Sequence, residues 1–212
     1  MTRGSFIAFE GGEGAGKSTQ ARLLADALRA RGIDVLSTRE PGGTPGAEAI
    51  RNLLLDPPGE GWGPAAEALL FAAARADHVA RAIRPALAAG CWVISDRFVD
   101  SSRAYQGGGG GLSDADLLAL HQIGSGGLVP DLTVLIEVAS AEAAARLARR
   151  DGEASDAIGG REAAYHAQVA AAFARIAAAE PARFVRIASA GSADETHALV
   201  LKALAPLLED AR

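Results

Sequence analysis

One cysteine is all that this chain of 212 residues contains, and it sits in the apolar run "CWVIS". Cys91 alone forms no intrachain disulfide and offers too few thiolates for a typical zinc site. Its apolar neighbours mark it as a buried, inert thiol. Aromatic residues are scarce at 5%, although 49% of the residues are hydrophobic. Such a core has to be assembled mainly from Ala, Leu, Val and Ile. A basic excess is missing too: the formal net charge is −5, which argues against nucleic-acid binding through a generally cationic surface. A local cationic pocket for phosphates is still compatible with it. Long apolar runs are absent; "FIAF" is too short for a span, and "EALLFAAARADHVARAI" is broken by charge. The expectation is a cytoplasmic protein with neither nucleic acid nor membrane as partner.

What is present is an alternation. Short apolar runs at residues 5–10, 34–39, 92–96, 132–138 and 183–188 are mostly bounded by Gly, Asp or Pro and read as strands. Helical stretches are expected around residues 17–31, 45–55, 64–89, 113–124, 140–150, 161–179 and 193–208. In the first of these, Ala21, Leu24, Ala25 and Leu28 recur at helical spacing and Gly32 provides a stop. Strands alternating with helices predict an α/β fold whose mostly parallel sheet is covered on both faces. In such sheets ligands collect at the carboxyl ends of the strands. The length suits one compact unit, residues 1–212, with an excursion or two. By composition "DPPGEGWG" (56–63), "AYQGGGGGLS" (104–113) and "RRDGEASDAIGGRE" (149–162) read as surface loops. The last two could also belong to a site.

The stretch "GGEGAGKST" follows the first strand and opens the first helix. Gly11, four spacers and Gly16-Lys17-Ser18 fit the P-loop pattern in its required context. Glycines let successive backbone N–H groups turn toward phosphate oxygens, and the helix adds the positive end of its dipole. Gly11, Gly12, Glu13, Gly14, Ala15, Gly16, Lys17, Ser18 and Thr19 are therefore candidate ATP-binding residues. Lys17 is expected at the β- and γ-phosphates and the Ser18 hydroxyl on Mg²⁺. Asp96, which ends "CWVISD", is the candidate acidic residue on the metal side, though it could instead cap the next segment.

The P-loop does not say what receives the phosphate. A GTPase switch needs an Asn-Lys-x-Asp motif, and the single asparagine, Asn52, lies in "RNLL". A motor or partitioning ATPase needs a longer acidic strand that the chain does not display. A small-molecule kinase needs arginines for a second anion. Arg39 in "TREPGGT" and Arg97 in "SDRF" follow strands, and Arg75 lies on a helix one turn beyond Phe71. Planar guanidinium groups grip phosphate bidentately.

Together "FEGGEGAGKST", "TREPGGT", "LLFAAARADH", "DRFVDSSRAYQGGGG" and "PDLTVLIEV" resemble the thymidylate kinase family, in order and over residues 6–173. The resemblance implies a P-loop nucleoside monophosphate kinase fold with a five-stranded parallel sheet. It also implies transfer of the ATP γ-phosphate to dTMP with Mg²⁺, and a homodimer, for which residues 65–89 are a candidate interface. By the same resemblance Glu13 sits near the acceptor 3′-hydroxyl, and Arg39 and Arg97 surround the acceptor phosphate. Phe71 stacks on thymine, although by sequence alone it would be core. Arg75 meets an exocyclic oxygen, Ser102 and Gln106 supply polar contacts, and Tyr105 packs on the deoxyribose. Residues 107–111 become a tight backbone passage beside the substrate. Besides Lys17 and Arg97, the family needs a catalytic arginine, in the P-loop spacers or in the lid. The spacers Gly12, Glu13, Gly14 and Ala15 contain none, so the lid, about residues 146–162, is expected to provide it. Arg149 and Arg150 lead the candidates, with Arg146 and Arg161 beside them. The family's "DR-x-E" is replaced here by "DAIG" (156–159). A kinase for another pyrimidine monophosphate, or a P-loop regulator without transfer, stands as the alternative.

Overall fold

The five apolar runs pair into one sheet, each within a residue of its expected bounds. A computed structural model describes residues 3–139, 142, 143, 145, 146 and 159–210. Strands β1 (Phe6–Glu10), β2 (Val35–Arg39), β3 (Trp92–Asp96), β4 (Leu132–Glu137) and β5 (Phe184–Ala188) lie in the order β2-β3-β1-β4-β5. Every pairing is parallel. The register sets Phe9 and Arg39 on either side of Asp96, so β1, β2 and β3 end together.

The helices are α1 (Lys17–Arg29), α2 (Pro45–Leu55), α3 (Pro64–His78), α4 (Arg84–Ala88), α5 (Val99–Ser102), α6 (Asp114–Ser125), α7 (Ala163–Ala179), α8 (Ala193–Ala203) and α9 (Ala205–Asp210). They cover both faces because strand side chains alternate. Ile7 and Phe9 face Leu24 and Leu28 of α1 and Val200 of α8. Phe6 and Ala8 face Ile83, Leu87 and Phe98 on the other side. A third cluster seats Leu135 and Phe184 against Phe173 of α7 and Tyr105. Truncating a fully buried leucine such as Leu24 in such a core costs about 2–5 kcal/mol.

Three expectations are corrected. The helix expected over residues 64–89 is interrupted by a π-helical turn, Val79–Ile83, between α3 and α4. Pro85 has no N–H for the preceding turn and its ring displaces that turn's carbonyl, so the helix widens there. The helix expected over residues 193–208 divides at Leu204, two residues before Pro206, for the same reason. Third, "AYQGGGGG" is no loop: α5 continues into a π-helical stretch, Arg103–Gly109. Two of its glycines, Gly108 and Gly109, pack closely against α7. A Cβ on Gly108 would stand 2.3 Å from the Cβ of Ala172, and one on Gly109 would stand 2.4 Å from the Tyr165 ring. Of the helix expected over residues 140–150, Glu142, Ala143, Ala145 and Arg146 are helical and the others lie outside the described residues.

Candidate functional site

The loop after β1 leaves the sheet through Gly11, whose φ is 137°. A side chain there would press its Cβ to 2.3 Å from the Ile136 carbonyl oxygen, so only glycine lets the loop lie flat on β4. Gly16 caps α1 in the left-handed region without a side-chain cap. The helix thus presents its first-turn N–H groups to an anion. Lys17 is buried, and its Nζ donates to the Gly12 carbonyl at 2.7 Å. Burial, and after it the charge of Arg97, brings Lys17 down to about 8.

Ser18 donates to Oδ2 of Asp96 at the end of β3. The other oxygen of Asp96, Oδ1, is buried without a hydrogen-bond partner. A hydroxyl beside a carboxylate with an unsatisfied oxygen is a hard-oxygen pair suited to Mg²⁺, which takes few protein ligands and completes its shell with phosphate and water.

Arg97 stands in the left-handed region at φ 73°, a strained conformation for a side chain of this size. Its backbone N–H donates to Phe9 at 2.9 Å, and its carbonyl accepts from Ser95 Oγ at 2.7 Å. The bend turns the guanidinium toward the P-loop. Nη1 donates to Gly11 at 3.3 Å and to Ser101 Oγ at 3.1 Å. Nη2 donates to Glu13 Oε1 at 2.5 Å and to the Tyr105 hydroxyl at 3.3 Å. The structure therefore brings Glu13, Arg97 and Tyr105 into one cluster.

Glu13 to Thr19, Asp96, Arg97, Ser101 and Tyr105 open on one cavity of about 750 Å³, with Gly11 and Gly12 behind its lining. Arg39, Phe71, Ser102 and Gln106 line it as well. Arg39 shares its Nη2 between both oxygens of Glu48, each at 3.2 Å. Gln106 donates to Glu67 Oε2 at 3.2 Å. Arg75 stands behind the wall instead of on it. It is only 4% exposed. Its Nε donates to Glu40 at 2.7 Å and its Nη2 to Ser102 Oγ at 2.9 Å, and both of those partners line the cavity. Arg51 was missed by sequence reasoning, since "RNLL" in mid-helix carries no motif. It lines the cavity from α2 and donates to the Pro41 carbonyl at 2.8 Å. The available signal was that α2 begins at Pro45, directly after "TREPGG", so a cation two turns on can return to that loop.

At the opposite end Gln20, Arg146, Ser189, Gly191 and Ala193 line the cavity. The lid candidates separate. Arg146 reaches the P-loop carbonyl of Ala15 at 3.5 Å and Ser189 Oγ at 3.2 Å. Arg161 is ion-paired with Glu67 and donates to the Tyr165 hydroxyl at 2.6 Å, away from the cavity lining. Arg149 and Arg150 lie outside the described residues. Among the described residues no helix is long and apolar enough to cross a membrane.

The sequence model of the thymidylate kinase family matches residues 9–200. The chain is similar to curated thymidylate kinases of three bacteria. That of Rhizorhabdus wittichii is 58% identical, covering 97% of this chain and 99% of the relative. That of Caulobacter vibrioides is 48% identical, covering 94% and 95%. That of Bradyrhizobium diazoefficiens is 47% identical, covering 95% and 89%. The solved thymidylate kinase of Ehrlichia chaffeensis matches with a TM-score of 0.78 at 32% identity, over 95% of this chain and 99% of that one.

Proposed function

We propose, from the premise that the chain belongs to the thymidylate kinase family and phosphorylates dTMP, that the whole chain acts as one kinase unit whose cavity holds ATP and dTMP end to end. The observation that carries this reading is that the P-loop and three arginines of separate elements, Arg39, Arg51 and Arg97, open on the same space.

At the donor end, backbone N–H groups of residues 11–19 and Lys17 cradle the ATP phosphates. The edge formed by Ser189, Gly191 and Ala193 faces the adenosine. Ser18 and Asp96 would hold Mg²⁺, which when bound supplies positive charge to the phosphate oxygens. At the acceptor end, Arg39, Arg51 and Arg97 grip the dTMP phosphate. Phe71 stacks on the thymine, with Ser102 and Gln106 along its edge and Arg75 supporting Ser102 from behind. Glu13 accepts from the 3′-hydroxyl, and the Tyr105 ring packs where a ribose 2′-hydroxyl would need room.

The nucleophile is an oxygen of a phosphate monoester, largely ionised at neutral pH, so no strong base is required. The barrier lies in bringing two anions together and in spreading charge through a loose transition state. Lys17 and Arg97, held near the P-loop carbonyls of Gly12 and Gly11, supply that stabilisation. Arg149 and Arg150, which lie outside the described residues, are the candidates for the further positive charge at the transferring phosphate. Arg146, already against the P-loop, supports the donor side.

The α2, α3 and α6 helices lie side by side and leave Leu53, Leu69, Leu118 and Ile123 exposed, Ile123 by 84%. This apolar face supports a homodimer. A cytoplasmic location accords with the substrates.

A bisubstrate compound, thymidine and adenosine joined through a phosphate chain, tests the shared cavity. It should bind one per chain and compete with both ATP and dTMP. Competition with only one of them would contradict the end-to-end arrangement.

A further inference from the structure

We propose that Glu10 is the positioning residue of the acceptor site: its carboxylate fixes the loop after β3 so that Arg97 faces the P-loop. The inference rests on the reading of Arg97 as an acceptor-phosphate ligand.

Glu10 stands in "FEGGEGAGKST" just ahead of the P-loop glycines, yet none of the roles drawn from that motif falls on it. It is the last residue of β1, fully buried, and it does not line the cavity. Packing alone gives no reason for a carboxylate at the centre of a sheet, where an apolar side chain would suffer no loss of hydration. Its oxygens are nevertheless all engaged. Oε1 accepts from the backbone N–H of Phe98 at 2.8 Å and of Ser101 at 3.1 Å. Oε2 accepts from Ser101 Oγ at 2.6 Å. Those donors follow directly on the residue whose backbone most needs holding. Arg97 is at φ 73°, and its Nη1 donates to the same Ser101 Oγ. A chain of contacts thus runs from Glu10 through Ser101 to the guanidinium.

The location explains why this residue is suited to the task. Glu10 is bonded directly to Gly11, whose carbonyl also accepts from Arg97. One side chain therefore ties the root of the donor loop to the root of the acceptor loop. A carboxylate presents acceptors only, which matches three donors. Burial, and after it the neighbouring Asp100 carboxylate, lifts Glu10 to about 7, so the group is retained against its solvation preference.

Steady-state kinetics with dTMP and ATP varied separately test this on Glu10→Ala, Glu10→Gln, Ser101→Ala and Arg97→Ala. Glu10→Ala should lower kcat/KM for dTMP by about tenfold or more and leave the KM for ATP within about threefold. Glu10→Gln, which keeps an oxygen for the Phe98 and Ser101 N–H groups but reverses the bond to Ser101 Oγ, should recover part of the loss. A Glu10→Ala enzyme within about threefold of wild type for dTMP, or impaired equally toward ATP and dTMP, overturns the proposal. So does a Glu10→Gln enzyme no better than Glu10→Ala. If Glu10→Ala does not fold by circular dichroism, Ser101→Ala decides: a dTMP-selective loss upholds the relay, and unchanged kinetics overturn it. If Arg97→Ala itself spares dTMP turnover, the reading of the acceptor site fails and this proposal with it. Damage by Arg97→Ala beside silent Glu10 and Ser101 variants sinks the positioning role alone.

Discussion

Arg97 joins the two halves of the site, because its guanidinium touches the P-loop carbonyl of Gly11, the Glu13 carboxylate and the Tyr105 hydroxyl at once. Removing it should therefore cost transition-state stabilisation and acceptor binding more than donor binding. Arg97→Ala is expected to lose on the order of 100-fold in kcat/KM for dTMP, with the ATP dissociation constant nearly unchanged. Acceptor kinetics and nucleotide titration read the two effects separately. Glu10 gives a stability prediction of definite sign. Its folded value of about 7 lies above its ordinary 4.5, so the folded state favours the protonated form. The associated stability is fully present below about pH 4.5 and is lost as pH rises through about 7. Glu10→Gln resembles the protonated form at every pH. It should gain on wild type between pH 5 and pH 8, by an amount on the order of 3 kcal/mol, read from urea unfolding at several pH values. A difference that does not change with pH would contradict the burial argument. At this scale the spacing of the motifs singled out Lys17, Ser18 and Arg97 as candidates. It did not bring out Arg51, the pairing of Arg161 with Glu67 or the engagement of Arg75 by Glu40. The last two depend on partners brought near only by the fold, and Arg51 stands in no motif.

Elements were legible where local physics settles them. The strands are short apolar runs with turn residues at their ends, so their bounds came out within a residue. Pro85 and the glycines after Gln106 are different, because their effect depends on what packs nearby. Pro85 widens a helix without ending it, and the glycine run stays helical because α7 comes too close for side chains. The start of α8 is a case where sequence, cap and site coincide. Ser192 accepts from Glu195 N–H, and the Glu195 carboxylate accepts from Ser192 N–H at 2.7 Å. This capping box ends in the loop that lines the donor end of the cavity. Ser192→Ala should destabilise the protein by about 1 kcal/mol in chemical unfolding. Any kinetic effect should fall on the KM for ATP and spare dTMP.

The molecule as a whole opens one cavity at the carboxyl ends of β2 and β3 and leaves an apolar face elsewhere. The first follows from the strand order, since the chain leaves β1 toward β2 on one side and leaves the adjacent β3 toward β4 on the other, which opens a crevice beyond their ends. The apolar face supplies the prediction at this scale. Wild-type protein should sediment as a dimer, and Leu69→Glu with Ile123→Glu should shift it to monomer without unfolding it. A wild-type monomer at micromolar concentration would contradict the proposed interface. The sequence indicated the dimer only through family resemblance, because exposed leucines on a helix cannot be told from buried ones before the packing is known.

The most direct measurement is ADP release with ATP and Mg²⁺, comparing dTMP with dUMP, UMP, CMP, AMP and no acceptor. Rapid release is expected with dTMP, slower release with dUMP, and little with the ribonucleotides or without acceptor. Equal release with every acceptor would contradict this expectation, because Phe71, Tyr105 and the arginines would then not be selecting the group that receives the phosphate.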